Sequence, residues 1–184
     1  MLELVGLGSD PDAAAEVARR LGGSAYANHP SEKDTRPYSS MIRVATDDIE
    51  AVTAVSDVAL HVAFPRTIKP LAGAAPEQRC IATFGMLANP AMTHRESDDH
   101  WRDNHGPLAL RCHSAMCDYM QLSIVDTIAG QALDGIAMCA FPTRDDLSTR
   151  FFNDDAAKAE IIADVSKFAS PKGSPARVVL IQTV

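Results

Sequence analysis

The chain has 184 residues, a formal charge of −7 and 46% hydrophobic residues, with only 5% of the chain aromatic. That length supports one core, or two small lobes sharing one, packed mainly by aliphatic and small side chains. The acidic balance, with a pI near 5.3, opposes phosphate backbones and anionic bilayers, so neither nucleic acid nor a membrane is an expected partner.

The N-terminus MLELVGLGSDPD has no basic region and its apolar run is too short for a signal peptide. No stretch reaches the apolar length of a membrane span, which makes the cytoplasm the expected address. Cys80, Cys112, Cys117 and Cys139 form no CxxC pair and no zinc-type Cys/His grouping. Buried, reduced thiols and no metal site are expected.

Taken in chain order, Leu2–Leu7 reads as a strand. Asp12–Leu21 reads as a short helix, capped by Ser9 or Asp10 and stopped by Gly22. A brief strand at Ser24–Asn28, a strand at Tyr38–Ala45, a helix at Asp47–Val55 and a strand at Val58–Phe64 follow. Residues 65–78, holding Pro65, Pro70, Gly73 and Pro76, read as a linker. Then come a strand at Cys80–Leu87 and a helix from Thr93 to about Cys112, opened by the capping box Thr93-His94-Arg95-Glu96. Strands at Cys117–Val125 and Asp134–Phe141 flank a turn at Gly130. Thr143–Ala169 is mostly helix, broken near Asn153-Asp154-Asp155, and Arg177–Val184 is the last strand.

Both halves thus read β-α-β-β-α-β, the ferredoxin-like unit, with no sequence identity between them. The division expected is a degenerate ferredoxin-like half over 1–64, the linker 65–78 and a second half over 79–184. A single sheet of this kind has one face covered by helices and one bare. The bare face must bury itself against another sheet, and here the other half can supply it. The fold class is α+β.

Trp101 and His105 lie four apart and therefore on one helix face, continued by Leu108 and preceded by Ser97. Apolar neighbours turn that face inward, where desolvation favours neutral imidazole, a general base at pH 7. Gly106-Pro107 is expected to kink or end the helix beside His105. On the following strand Tyr119 and Gln121 share a face. His94 and Arg95 read as solvated, Asp98-Asp99 as favourable charge near the helix start, and His29, His61 and His113 are assigned no role.

The run Trp101-Arg102-Asp103-Asn104-His105-Gly106-Pro107-Leu108 resembles the EthD motif, and Asp118-Tyr119-Met120-Gln121 resembles that family's Arg-Tyr-x-Gln strand. Asp134-Gly135-Ile136-Ala137 is similar to the start of its third strand. Ala163-Asp164-Val165-Ser166-Lys167-Phe168 is similar to its Ala-Asp-Glu-x-x-Phe signature. Ser97 and Asp118 depart from the family pattern, and residues 1–78 carry no family signature. The resemblance implies a dimeric α+β barrel arrangement with a small-molecule pocket inside the barrel, and leaves a further homodimer open. It supports fold more than chemistry, because the superfamily spans lyases, isomerases, monooxygenases and haem enzymes.

The resulting expectation is a cofactor-independent lyase or isomerase for an apolar, aromatic or polyketide-like metabolite. His105 and Tyr119 are the catalytic candidates, with Trp101, Leu108, Gln121 and Asp164 binding the substrate; Asp164 reads otherwise as a group that orients His105, pairs with a basic residue or sits on the helix surface. The alternatives are a non-catalytic carrier of a hydrophobic metabolite and, third, a haem protein with His105 as axial ligand or a cofactor-free monooxygenase.

Overall fold

In the computed structural model, which describes residues 1–32, 36–72, 75 and 79–184, both stretches flanking residues 73–78 repeat one element order. The first has β1 (Glu3–Gly8), α1 (Pro11–Leu21), β2 (Ser24–Asn28), β3 (Ser40–Val44), α2 (Ile49–Thr53) and β4 (Ala59–Lys69). The second has β5 (Cys80–Ala88), α3 (His94–His100), a π-helical turn (Trp101–His105), α4 (Gly106–Cys112), β6 (Asp118–Ala129) and β7 (Gly135–Phe141). It ends with α5 (Arg144–Thr149), α6 (Asp155–Phe168), β8 (Ala169–Ser170) and β9 (Val178–Gln182). Residues 65–69, read from sequence as linker, extend β4 instead, and Pro65 stands in register with Leu122. Residues 73, 74 and 76–78 of that linker lie outside the described residues.

Local signals account for the element ends. Asp10 caps α1 by accepting from Asp12 and Ala13 N–H groups, and Gly22, at φ 70°, closes it in the left-handed region. Thr93 and Glu96 form the expected capping box. Asp154 accepts from the Ala157 N–H and starts α6 after the expected break.

Within each stretch the strands lie in the same ferredoxin-like order: β4-β1-β3-β2 and β9-β5-β7-β6. Antiparallel seams β4–β6 and β2–β9 join the two, so eight strands close into one barrel, with β8 added at the end of β5. Closure removes the unpaired edges that each four-stranded sheet would otherwise expose. Val5, Leu7, Met41, Ile81, Leu122 and Leu180 are among the side chains that fill the lumen. The outer faces are covered by α1 and α2 over the first sheet and by α3 through α6 over the second. No helix among the described residues is long and apolar enough to cross a membrane.

Candidate active site

Strand alternation fixes which side the site occupies. On β6, Met120, Leu122 and Ile124 point into the lumen, so Tyr119 and Gln121 point outward beneath the helices. The cavity these residues border is therefore not inside the barrel, as the resemblance implied, but between the outer face of the second sheet and its helical layer. It measures about 370 Å³. Phe84, Phe151, Phe152 and Phe168 are among its walls, and Trp101, His105 and Tyr119 all line it. Leu108 and Gln121 are buried in the surrounding core, and Asp164 stands behind His105; none of the three borders the cavity. Among the described residues, no Asp, Glu, Lys or Arg lines it.

The helix that carries Trp101 and His105 does not end at Gly106-Pro107. It widens into a π-turn and continues as α4. Pro107 has no N–H, and in a regular α-helix its ring would meet the Asp103 carbonyl. Widening relieves that clash, and the Gly106 N–H donates to the Trp101 carbonyl one residue further back than an α-helix would allow. The same carbonyl accepts from Gln121 Nε2 at 3.0 Å, tying the turn to β6. Gly135 on β7 makes room for the indole: a Cβ there would lie 2.5 Å from Trp101 Cζ3.

His105 is held from behind. Its Nδ1 lies 3.0 Å from Asp164 Oδ2, while His100 Nε2 lies 2.9 Å from Asp164 Oδ1. Phe168 packs on both imidazoles, with centroids at 5.0 Å and 5.2 Å. Burial lowers the His105 pKa below its ordinary 6.5, and the Asp164 carboxylate only partly opposes this. Burial also pushes Asp164 upward, but hydrogen bonds from His100 and His105 outweigh it and keep the carboxyl below the ordinary range. Asp164 is therefore an anion that accepts Nδ1–H. This leaves Nε2 of a neutral His105 as an acceptor with no hydrogen-bond partner among the described residues.

Tyr119 is 1% exposed and burial raises its pKa well above 10, so it stays a phenol. Its oxygen accepts from Trp101 Nε1 at 3.1 Å and from Gln121 Nε2 at 3.1 Å. The amide orientation is fixed because Gln121 Nε2 also meets the Trp101 carbonyl, which can only accept. With both acceptor positions used, the Tyr119 proton has no acceptor among the described residues. For proton transfer the site thus offers an acceptor at His105 and a donor at Tyr119, among mostly apolar walls.

Several residues given little or no role from sequence belong to this neighbourhood. His113 lines the cavity, and His100 is the second partner of Asp164. Asp98 does more than bias the helix start: its carboxylate holds Arg66 at 2.7 Å, and that guanidinium lies 5.7 Å from the Trp101 ring centroid. Ser97 is buried and donates to the Phe168 carbonyl at 2.7 Å, so its hydroxyl joins the two long helices. All four cysteines are free, as expected. Cys139 lines the cavity, where burial pushes its thiol up to about 12.

A ferredoxin-like α+β barrel with a site on its helix-covered face is the class of protein these features define. Residues 89–172 match the family described as the EthD domain. The match includes Trp101, His105, Tyr119, Gln121 and Asp164. No curated protein matches the chain. Among solved structures, an anthrone oxidase-like protein aligns over 100% of this chain and 90% of its own, at a TM-score of 0.57 and 10% identity. A protein of Fusobacterium nucleatum subsp. nucleatum, described as a candidate monooxygenase, aligns over 100% of this chain and 92% of its own, at 0.59 and 8%. At these identities the likeness is one of fold.

Proposed function

We propose that this protein is an enzyme that removes a proton from carbon next to a carbonyl group in an apolar aromatic metabolite. The carrying observation is the pairing of a neutral, Asp164-oriented His105 with a Tyr119 phenol whose proton is unclaimed, both on one apolar cavity. His105 Nε2 takes the proton, and the C–H electron pair moves to the carbonyl oxygen. The Tyr119 O–H donates to the oxyanion that develops there, in a water-poor setting that strengthens the interaction. Asp164 stabilises the imidazolium that forms.

The enolate then goes one of two ways. Return of the proton from His105 to a different carbon gives an isomer, and its delivery to a departing β-hydroxyl gives a dehydrated product and water. These are the lyase and isomerase outcomes, and the chain's own groups complete them. A second reading draws on the names of the structural neighbours: an electron-rich enolate in an apolar pocket is also a species that gives electrons to molecular oxygen. Both readings share the first step. A carrier role accounts for the cavity but not for the orientation of Tyr119 and His105.

The test is hydrogen–deuterium exchange at the carbon beside the carbonyl of 1-tetralone in D2O, followed by NMR. The wild type should accelerate exchange, and His105→Gln should lose on the order of 10²–10⁴ of that acceleration. Equal exchange by a His105→Gln protein that melts like wild type would remove His105 as the base.

A further inference from the structure

A second imidazole borders the cavity and has no part in the proton transfer. His113 follows the last turn of α4, eight residues beyond His105, and is 4% exposed. Its Nδ1 is hydrogen-bonded to the Phe151 carbonyl, which can only accept, so Nδ1 carries the hydrogen and Nε2 is a bare acceptor. The ring is clamped by Phe151 and Phe152, with centroids at 4.7 Å and 5.1 Å. Burial lowers its pKa, and the Phe151 carbonyl only partly opposes this, so the ring stays neutral at pH 7. Nε2 finds no partner among the described residues. An acceptor held in an apolar wall is unfavourable unless the ligand brings a donor to it.

We infer that His113 Nε2 accepts a hydrogen bond from a hydroxyl group of the substrate, so that the site selects an uncharged aromatic ketone carrying a ring hydroxyl. The inference rests on the proton-abstraction reading of the same cavity and adds to it what the substrate must look like. The absence of Asp, Glu, Lys and Arg from the described lining leaves a carboxylate or ammonium group without a counter-ion, which disfavours a charged substrate. Phe84, Phe151, Phe152 and Phe168 supply faces and edges for a flat ring system. Tyr119 donates to the ketone, His105 reaches the acidic carbon, and His113 reads the hydroxyl. His113 is on this account a specificity residue, not part of the proton transfer.

Equilibrium dialysis of 1-tetralone and its ring-hydroxylated isomers against the full chain tests this. The wild type should bind at least one hydroxylated isomer about tenfold more tightly than the parent ketone, the worth of one good hydrogen bond. His113→Asn keeps a donor where Nδ1 stood, so the Phe151 contact survives, and lacks Nε2. It should bind the parent as before and show a hydroxyl preference close to one. His113→Gln places an oxygen near the Nε2 position and should regain part of the preference. A purely structural His113 would move both affinities together, not their ratio. A preference that persists in His113→Asn, a wild type without preference, or a wild type that binds none of these ketones would each overturn the inference. Exchange of 1-tetralone in the same samples separates the two readings. A lost preference with exchange intact leaves the enzyme reading standing, and an intact preference with no exchange overturns that reading alone.

Discussion

Asp164 sets both the orientation and the proton affinity of His105. Its carboxylate selects the Nδ1–H tautomer, and its charge partly offsets the burial that lowers the imidazole pKa. Asp164→Asn removes the charge, so the His105 pKa should fall further and the base should weaken. Exchange of 1-tetralone should drop by about 10²-fold or more. In the wild type, the rate should be flat around pH 7 and decline only below 6.5, because imidazole is the active form and its folded pKa lies under that value. In Asp164→Asn the decline should move to still lower pH. A shift to higher pH, read from the exchange rate against pH, would contradict the assigned roles. Sequence reasoning reached Trp101 and His105 because helix period puts them on one face, and it reached Tyr119 and Gln121 because strand alternation does the same. The pairing of Asp164 with both His100 and His105 spans about sixty residues of chain, and no local pattern encodes it. His113 was passed over because it stands beyond the helix end; its spacing of eight from His105, two turns along the same face, was the available signal.

At the level of the element, the helix around Gly106-Pro107 was expected to kink or stop and instead absorbs the proline by widening for one turn. A motif that reads as a terminator was in fact a π-bulge, because tertiary contacts on both sides continue past it: α4 packs Leu108, Ala109 and Cys112 into the core, and Gln121 grips the Trp101 carbonyl. The two motif residues should respond differently. Gly106 has ordinary helical angles, and a Cβ there would meet Ile68 Cγ2 at 3.5 Å, a normal contact. Gly106→Ala should therefore raise stability by about 0.5–1 kcal/mol in a denaturant titration, with exchange activity retained. Pro107→Ala restores an N–H and removes the reason for the wide turn. The helix should tighten towards regular α geometry and rotate Trp101 and His105 relative to Tyr119. Exchange should fall by at least about tenfold without a lower melting temperature, since a proline inside a helix costs about 3 kcal/mol. A Pro107→Ala protein with full exchange would show that Gln121 and the core hold the turn unaided.

The strand periods of both halves were readable, including the β-α-β-β-α-β order, yet alternation says only that residues share a face, not which face meets the lumen. That is why the cavity of Trp101, His105 and Tyr119 was expected inside the barrel and is found outside it. Which side is lumen depends on closure through β4–β6 and β2–β9, pairings between residues far apart in sequence. Closure also ties the fate of the two halves together. A protein consisting of residues 79–184 alone would expose the lumen face of its sheet, including Ile81, Leu122, Ile136 and Leu180, and the free edges of β6 and β9. It should associate into dimers or larger species in light scattering after size exclusion, because such a face and such edges do not persist in water. A monomer that melts as sharply as the whole chain would show that the halves are independent.

In the proposed chemistry His105 presents an unprotonated Nε2 to an apolar cavity at neutral pH, and its imidazole ¹⁵N chemical shifts read this directly. The shifts should report a neutral ring with hydrogen on Nδ1, titrating below 6.5. A hydrogen on Nε2 at pH 7, or a ring that titrates above 6.5, would contradict it.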